Sequence, residues 1–515
     1  MEETETEIRL VLVVPRQHVK LVKTALEEHG KLDRTARIEA ETVYQSRFSI
    51  PATSSASVQG EMAQDTRQAR MRIPTTFTAN TPDALADTLS SLHLSHLSAN
   101  ISLSQHTLSP HSPPRHPLRH AIHQVLSSLP PAILSSLSLT PSRLAAAFPD
   151  SYCIYPPLLV LPANAFSSPL WRALLTAHPA SSTSLRPLWA HVASAMRVSH
   201  IAINAPIPLH QPGGGAHANT LRSPVHMTPL HGVFGTAPTA ATRAAPSRHD
   251  LDSALWVSAV QNGTTQVWAP LFTMFSRGNV REKTRILGWR GGGAVVDMYA
   301  GIGYFAFSYR RAAAARRPVI CFELNPWSVE GFRRGAARNA WSCTVYTERN
   351  VHAWDDEPLA PPHEVKDFYM FQLNNHLAYP LLKSKLKARL SIRHVNLGLL
   401  PRSRDAWRDA VRLVDGERGG WVHAHENVGV EDMESTREEV GRVFQALVEA
   451  EEEEAEEADH GHEGSGRRRR TRAVVVQHVE RVKMYAPGVV HCVFDVWIGG
   501  RDGSSSRQWD HDDGN

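Results

Sequence analysis

The chain opens with a run of apolar residues that is followed by apolar residues at helical spacing. The run IRLVLVV at 8–14 has the composition of a buried strand, and Val19, Val22 and Leu26 lie three to four residues apart. A strand that leads into an amphipathic helix is the usual start of an α/β unit. The pattern therefore predicts a small α/β region at the amino terminus.

Amphipathic segments return in the middle of the chain, and strand-like runs are frequent in its second half. LWRALL at 170–175 and LWAHVASAM at 188–196 are helical in pattern, and HIAIN at 200–204 has the pattern of a short strand. From about residue 251 onward, short apolar runs such as AVVD and VICF alternate with helical patterns. Such alternation is typical of a mostly parallel, doubly wound sheet.

Stretches rich in Ser, Pro, His or Gly separate these units, and that composition favours connections over packed structure. Two blocks of opposite charge, EAEEEEAEEAD and RRRRTR, indicate a solvated insertion near the carboxyl end. The predicted division of the chain is a small N-terminal α/β region at 1–92, a low-complexity linker at 93–150, a small α/β domain at 151–210, a linker or irregular loop at 211–250, the main α/β domain at 251–502 with a charged insertion at 449–472, and a disordered tail at 503–515.

Composition limits the class of protein. Of 515 residues, 42% are hydrophobic and 21% are charged, which excludes a wholly disordered, collagenous or coiled-coil chain. The net charge of +4 is too small to make the whole chain polycationic, so nucleic acid would have to bind to local patches. The four cysteines form no Cys-x-x-Cys motif, which predicts neither a zinc ribbon nor a disulfide framework.

Location and metal binding are the next properties that the sequence addresses. The acidic start, MEETETEIRL, and the lack of a run of about 18 apolar residues predict a cytoplasmic chain without a membrane span. The histidines between 93 and 123 are irregularly spaced and have no carboxylate or cysteine among them, so we expect no metal site there. His423 and His425 share one face of a predicted strand without a third ligand, and we expect them to line a substrate cleft.

The segment AVVDMYAGIGYFAF at 294–307 carries the clearest chemical signal. Its strand ends at Asp297, and Gly301 and Gly303 then let the backbone turn tightly into a helix whose amide groups can bind polar ligand atoms. Glu323 ends the next strand 20 residues after Gly303, the spacing of an acid that binds ribose hydroxyls. Dinucleotide-binding proteins share this pattern, but Asp297 in D-x-Y-x-G-x-G favours S-adenosylmethionine. The alternative is a structural turn in which Glu323 only caps the following helix.

With these motifs the chain resembles the tRNA wybutosine-synthesizing protein 2 family from about 251 to 499. The resemblance implies a class I S-adenosylmethionine-dependent transferase fold, which is Rossmann-like and mostly parallel, preceded by a smaller α/β domain and low-complexity connections. The related tRNA guanine-37 N1-methyltransferases carry an N-x-P-type motif where this chain reads NLGLLP. The matching motifs are MFSRGNVREKTR (274–285), VVDMYAGIGYFAF (295–307), CFELNP (321–326), QLNNHLAYP (372–380), VNLGLLP (395–401), WVHAHENV (421–428) and VKMYAPGVVHCVFDVWI (482–498).

The resemblance also implies a reaction. In it, the 3-amino-3-carboxypropyl group of S-adenosylmethionine is transferred to carbon 7 of 4-demethylwyosine at position 37, in the anticodon loop of phenylalanine tRNA, and methylthioadenosine is released. A sulfonium is already an activated leaving group, so the mechanism is one of positioning, with no catalytic side chain. Two alternatives remain, a guanine-37 N1-methyltransferase, which NLGLLP disfavours, and an inactive tRNA-binding relative, which Asn374 and Arg393 suggest.

The family's cofactor contacts fall on residues whose side chains suit the chemistry of the donor. Lys283 can bind a carboxylate, although it can also be a solvated lysine that pairs with Glu282, and an Asn side chain suits the adenine edge, although two Asn can form a simple turn. Together with the turn, the expected cofactor-binding residues are Ser276, Lys283, Asp297, Gly301, Gly303, Glu323, Asn374 and Asn375.

Three departures from the family pattern and one basic run complete the sequence picture. The family's Gly-Asp-Asn is replaced at 373–375, Arg393 replaces an aspartate, and the long interval before Asn374 predicts an insertion containing DDEPLAPPHE, which loops out. The nearby basic residues are expected either to hold anticodon-stem phosphates or to be merely solvated. They are Lys383, Lys385, Lys387 and Arg389.

Overall fold

The computed structural model describes most of the chain in two compact units. The units are Met1–His120 and Ala121–Asn515, and each is treated by itself below. The described residues are 8–33, 38–40, 70–78, 84–98, 100–107, 116–180, 182–205, 219, 221–224, 226–289, 292–312, 318–357, 365–387, 390–459 and 471–501.

The first unit contains a four-stranded antiparallel sheet in the order β2-β3-β1-β4. Its central strand holds the apolar run at 8–14, and Val22 and Leu26 of the following helix are fully buried against it. The predicted strand and helix are therefore confirmed. The elements are β1 (Ile8–Pro15), α1 (Val19–Glu28), β2 (Glu39–Ala40), β3 (Arg70–Thr78), α2 (Ala84–Ser91) and β4 (Ser102–Thr107).

Residues 93–150 differ from the predicted linker, because they contain β4 and three helices. These helices are α3 (Pro117–Ser128), α4 (Pro131–Ser135) and α5 (Pro141–Ala146). Each of them begins at a proline, which the first turn of a helix accepts because its N–H has no intrahelical partner. The linker was predicted from the Ser-, Pro- and His-rich composition, but buried residues such as Ile122 and Leu144 recur in this segment.

The second unit continues with a small four-stranded sheet in the order β5-β6-β7-β8, in which β6 and β7 are parallel. Two of the next helices occupy part of the predicted loop at 211–250, where Thr239 and Ser247 cap their first turns. The elements are β5 (Cys153–Tyr155), β6 (Leu158–Leu161), α6 (Pro169–Ala177), α7 (Arg186–Ala195), β7 (His200–Ile203), β8 (Thr228–His231), α8 (Ala240–Ala244) and α9 (Arg248–Ser253).

A hairpin and a helix precede the main sheet, which has eight strands in the order β13-β14-β12-β11-β15-β16-β18-β17. All neighbours are parallel except β18, which runs antiparallel to both β16 and β17. The elements are β9 (Val257–Gln261), β10 (Thr264–Trp268), α10 (Val280–Leu287), β11 (Ala294–Asp297), α11 (Ala306–Ala312), β12 (Val319–Phe322), α12 (Pro326–Arg338), β13 (Cys343–Tyr346), β14 (Phe368–Phe371), α13 (Ala378–Lys387), β15 (Ile392–Leu397), α14 (Trp407–Leu413), β16 (Gly420–Gly429), α15 (Met433–Asp459), β17 (Val474–Ala486) and β18 (Val489–Ile498).

This sheet is doubly wound, and the chain reverses its direction across the sheet between β11 and β15. From β11 the chain builds β12 and β14 on one side, and it then crosses to β15 and β16 on the other side. Ligands bind in such sheets at the carboxyl ends of the strands next to this reversal. The predicted fold class is therefore confirmed, and it locates the site at the ends of β11, β12, β14 and β15.

The interval between Glu323 and Asn374 contains an additional strand. β13 lies at the sheet edge and pairs only with β14, which itself pairs with β12. The chain therefore forms the outer strand first and returns to build the inner one. Of the segment expected to loop out, residues 358–364 lie outside the described residues.

The acidic block predicted as part of a solvated loop is helical instead. α15 continues through this block to Asp459. Within the block, Glu451 accepts hydrogen bonds from Arg408 and Arg412 of α14, each at 2.6 Å. Arginine side chains neutralise this part of the acidic run, so the helix does not end where the charges begin. The arginines at 467–470 and the predicted tail at 503–515 lie outside the described residues.

None of the helices built from the described residues combines the length and the apolar character needed to cross a lipid bilayer.

Candidate active site

The carboxyl ends of three neighbouring parallel strands bring the predicted cofactor-binding residues together. Asp297 ends β11, Glu323 follows β12, and Asn374 and Asn375 follow β14. The backbone amide of Gly301 donates to Glu323 Oε2 at 2.9 Å. Asn375 Nδ2 donates to the carbonyl oxygen of Met298 at 3.1 Å. Residues from three separate motifs are thus joined around one turn.

The turn after β11 requires glycine at both predicted positions. Gly301 has a φ of +56° and Gly303 a φ of +89°, which L side chains rarely adopt. A Cβ atom would lie 2.7 Å from the Tyr304 ring at the first position and 2.6 Å from the Phe307 ring at the second. Both substitutions would displace an aromatic ring, so the path of the turn depends on the two glycines.

Glu323 holds the turn with one carboxylate oxygen and the next helix with the other. Oε2 accepts from Gly301, and Oε1 accepts from the backbone amide of Asn325 at 2.7 Å. The cap of α12 is Asn325, whose side chain accepts from the amide of Trp327 at 3.0 Å. Burial raises the pKa of Glu323, and these amide hydrogen bonds oppose that shift. Each carboxylate oxygen has a second lone pair, so Glu323 can still accept hydrogen bonds from two hydroxyls.

Asp297 connects β11 to β15 rather than facing solvent. The residue is fully buried, and Oδ1 accepts from Asn396 Nδ2 at 3.0 Å and from the amide of Tyr299 at 3.3 Å. Burial raises its pKa to about 6, against the effect of these donors. The aspartate of the motif therefore holds the strand ends together on either side of the reversal.

Lys283 is a buried cation, so the alternative of a solvated lysine paired with Glu282 is excluded. Only 3% of the residue is exposed, and Nζ donates to Gln261 Oε1 at 2.7 Å and to Gln266 Oε1 at 2.6 Å. Glu282 instead pairs with Arg285 at 2.7 Å. Burial lowers the pKa of Lys283 to about 7, and the nearby ammonium of Lys483 adds to the shift.

Three residues in this region were missed by the sequence argument. Lys483 of β17 donates to Ser276 Oγ at 2.8 Å, and Gln266 Nε2 donates to the carbonyl oxygen of Gly303 at 3.0 Å. Gln261 and Gln266 lie on the β9–β10 hairpin, outside the main sheet. The available signal was Gln266 itself, a polar residue at a buried position of a short strand.

His423 and His425 do not line a cleft as expected, because both are fully buried inside the sheet. His423 Nδ1 lies 2.6 Å from Asp495 Oδ1, and His425 Nδ1 lies 3.0 Å from His491 Nε2. Asp495 also pairs with Arg285. Rings from outside the sheet cover both side chains, because Trp289 lies 4.2 Å from His423 and Phe305 lies 4.8 Å from His425 between ring centres. Burial lowers the pKa of both histidines.

The two described lysine side chains of the basic run have different surroundings. Lys385 Nζ donates to the backbone carbonyls of Asp355 and Glu357, both at 2.8 Å, so it holds the insertion to α13. Lys383 is exposed. Arg389 and the side chain of Lys387 lie outside the described residues.

Asn374 and Arg393, which depart from the family pattern, also have structural contacts. The exposed Asn374 accepts from the amide of His376 at 3.2 Å, as in a simple turn. The guanidinium of Arg393 lies 5.5 Å from the ring centres of both Trp421 and Trp497. Both contacts are local, and neither disturbs the turn after β11.

A polar cleft of about 300 Å³ lies on the other side of the reversal, at the carboxyl ends of β15 and β16. It follows the motif VNLGLLP directly and is lined by acidic, basic and amide side chains. Among them are Arg402, Arg404, Glu426, Asn427 and Asp432. The cleft lies beyond β15, on the side of the sheet away from the end of β12.

A doubly wound parallel sheet with a final antiparallel strand, a glycine turn after its first strand and an acid after its second define a class I S-adenosylmethionine-dependent transferase. Residues 261–355 match the family model "TRM5/TYW2 methyltransferase domain". The chain is 32% identical over 397 residues to tRNA wybutosine-synthesizing protein 2 of Saccharomyces cerevisiae, covering 69% of this chain and 75% of that protein. The chain belongs to the tRNA wybutosine-synthesizing protein 2 family, which confirms the resemblance seen in the sequence.

A second relative and one solved structure are also similar. The protein of the same name from Schizosaccharomyces pombe is 38% identical over 309 residues, which cover 58% of this chain and 66% of that relative. A crystal structure of P. horikoshii TYW2 in complex with MeSAdo has a TM-score of 0.43 and 16% identity, covering 74% of this chain and 99% of that chain.

Proposed function

We propose that the chain transfers the 3-amino-3-carboxypropyl group of S-adenosylmethionine to carbon 7 of 4-demethylwyosine, at position 37 in the anticodon loop of phenylalanine tRNA. Membership of a family whose relatives are named for tRNA wybutosine synthesis supports this reaction. The observation that carries the proposal is Lys283. It is a buried ammonium next to the glycine turn, and its two hydrogen-bond partners are neutral amide oxygens.

The side chains at the strand ends fit the functional groups of S-adenosylmethionine. Glu323 would accept from the ribose hydroxyls, and the close approach allowed by Gly301 keeps the turn free for the nucleoside. Lys283 and Ser276 would hold the carboxylate of the methionine part. Asn375, tied to the backbone beside Asp297, would face the adenine.

Positioning is the mechanism that follows from these residues. The donor supplies a sulfonium, whose attached carbons are activated toward displacement. When the base attacks the γ-carbon, a carbon–carbon bond forms, the carbon–sulfur bond breaks with its electrons staying on sulfur, and the base loses a proton. Lys283 and Ser276 hold the carboxylate end, and thereby decide which carbon the acceptor reaches.

The acceptor side of the proposal rests on the cleft at the ends of β15 and β16. The cleft lies across the reversal from Glu323, and it carries Arg402 for phosphate oxygens, whereas Arg404 pairs with Glu439 at 2.6 Å. The exposed Lys383 adds a cation on the neighbouring helix α13. A substrate that spans both sides of the reversal would bring its base to the donor.

The second candidate is methylation of guanine 37 at N1, because the matching family model names both branches. One experiment separates them. The protein is incubated with donor labelled in either its carboxyl or its methyl carbon and with two tRNAs, one that carries 4-demethylwyosine and one that carries unmodified guanine at position 37. Label from the carboxyl carbon in tRNA, together with methylthioadenosine, is expected. Methyl label in tRNA with S-adenosylhomocysteine would contradict the proposal, and no label in either form would indicate an inactive relative.

A further inference from the structure

The partners of Lys283 are two glutamines where a buried cation usually has an acid. Gln261 and Gln266 each present a side-chain oxygen to Nζ, at 2.7 and 2.6 Å. Gln266 is 2% exposed and Lys283 is 3% exposed. Amide oxygens satisfy the hydrogen-bonding needs of an ammonium group, but they do not neutralise its charge.

The charged residues around Lys283 strengthen this contrast with an ordinary buried cation. The other cation nearby is Lys483, and its pKa is itself lowered by burial. The acids on the adjoining elements already pair with arginines, because Glu282 contacts Arg285 at 2.7 Å and Glu480 contacts Arg281 at 2.5 Å. The fold therefore directs the neighbouring carboxylates to other partners and leaves Lys283 with two neutral amide oxygens.

We propose that Gln261 and Gln266 determine recognition of the donor's carboxylate, by holding the Lys283 ammonium in place without neutralising it. The inference rests on the proposed function, in which S-adenosylmethionine is the donor. A carboxylate entering this low-dielectric region forms a stronger pair than it would in water. A glutamate at position 261 or 266 would itself form a permanent ion pair with Lys283 and would exclude the donor's carboxylate.

Gln266 has a second contact that makes it a positioning residue for the whole site. Its Nε2 donates to the carbonyl oxygen of Gly303 at 3.0 Å, so a single side chain links the lysine to the turn that Glu323 also holds. Gln261 instead donates from Nε2 to the carbonyl oxygen of Arg277 at 3.3 Å, next to Ser276. Each glutamine thus orients Lys283 from a different side of the site.

The arrangement also accounts for selection between donor and product. Methylthioadenosine has the adenosine and sulfur of the donor but no carboxylate, because that group leaves with the transferred chain. Lys283 then has no ion pair with the nucleoside product. The change in the affinity ratio of S-adenosylmethionine to methylthioadenosine when a glutamine is substituted therefore measures what that glutamine contributes, independently of turnover.

The test is titration calorimetry of both compounds against the full chain and five variants. In Gln266→Glu and Gln261→Glu, the affinity ratio of S-adenosylmethionine to methylthioadenosine is expected to fall about tenfold or more, the size of a hydrogen bond to a charged group. Asn262→Asp adds the same charge at an exposed position of the same hairpin, and is expected to keep the ratio. In Lys283→Met, the ratio is expected to be low already, and adding Gln266→Glu is expected to lower it no further.

The outcomes separate this inference from the function on which it rests. Retention of the wild-type ratio in both glutamine variants, with folding checked by thermal melting, would overturn the inference and leave the donor assignment intact. A wild-type chain that binds neither compound would overturn both. If only Gln266→Glu lowers the affinity ratio, the effect would be assigned to the contact of Gln266 with Gly303, because Lys283 is the contact that Gln261 and Gln266 have in common. That outcome would overturn the role of charge.

Discussion

At the residue scale, the site depends on groups whose ionisation is changed by burial. Lys283 is the clearest of them, because its pKa of about 7 lies far below the ordinary lysine value of about 10.4. At pH 8 the Lys283 side chain is therefore mostly neutral in the free protein. An anionic ligand restores the charge, so that donor binding and protonation are coupled.

Proton uptake on donor binding is the first prediction at this scale. Because the carboxylate favours the ammonium form, affinity for S-adenosylmethionine is expected to fall as pH rises above about 7. Calorimetry at pH 8 in buffers of different ionisation enthalpy should show net uptake, which Lys283→Met abolishes. An identical binding heat in every buffer would contradict the prediction.

Glu323 supports a second prediction. Glu323→Ala is expected to weaken S-adenosylmethionine binding by about 1.5–3 kcal/mol, the range for hydrogen bonds to a charged group, while the sheet remains folded. Glu330→Ala on α12 is the matched control, since that acid pairs with Arg333 at 2.7 Å, away from the turn. Equal affinities of the Glu323 variant and the wild type, measured by calorimetry, would remove Glu323 from the site.

At the scale of elements, helix α13 shows why a run of like residues need not share a role. Lys385 holds the carbonyls of Asp355 and Glu357, and it lies 5.2 Å from the centre of the Trp354 ring. Lys383 is exposed, and its Nζ lies 6.0 Å from the centre of the Tyr379 ring. One lysine therefore stabilises the insertion, and the other is available to a phosphate.

Substitutions of the two lysines are expected to give different results when tRNA binding is measured at several salt concentrations. If Lys383 contacts a phosphate, Lys383→Met should reduce the slope of log affinity for tRNA against log salt by about 0.7 to 0.9. Lys385→Met, the matched variant two residues away, should leave the slope unchanged and lower the melting temperature. A slope unchanged in both would show that this surface lies outside the tRNA interface.

At the scale of the whole molecule, a buried polar network joins the main sheet to α10. Asp495 of β18 pairs with Arg285 of the helix and with His423 of β16, and Arg285 also holds Glu282. The neighbouring Arg285 and His423 hold the pKa of Asp495 well below its usual range, against the effect of burial. The same helix carries Lys283, so this network also sets the position of the proposed donor contact.

Removing the charge of Asp495 tests the network. Asp495→Asn is expected to destabilise the chain at pH 7 by about 3–5 kcal/mol, the cost of breaking a buried ion pair, as measured by urea unfolding. Because the folded pKa is depressed, this stability is present above the unfolded value of about 3.9 and is lost as pH falls below it.

The difference between variant and wild type should therefore narrow in acid. Asp432→Asn, an exposed change at a position where Asn caps a helix as well as Asp does, should have little effect. A pH-independent difference for Asp495→Asn would contradict an electrostatic role.

The sequence by itself determined the parts of the protein that depend on local chemistry. The glycine turn could be predicted because glycine allows a tight turn that other residues rarely adopt, and Glu323 because it ends the next strand at a set distance. The family motifs likewise implied a mostly parallel, doubly wound sheet. Each of these signals lies within about thirty consecutive residues, where backbone geometry and spacing carry the information.

Only the tertiary structure decided how distant residues are paired. Lys283 and Glu282 are neighbours in sequence, yet one faces Gln266 and the other faces Arg285, because the helix packs between the hairpin and the sheet. The burial of His423 required an aromatic ring from outside the sheet. Side-chain partners and desolvation depend on segments that meet only in the folded chain, and these two factors set the charge of Lys283 and the pKa values of the network.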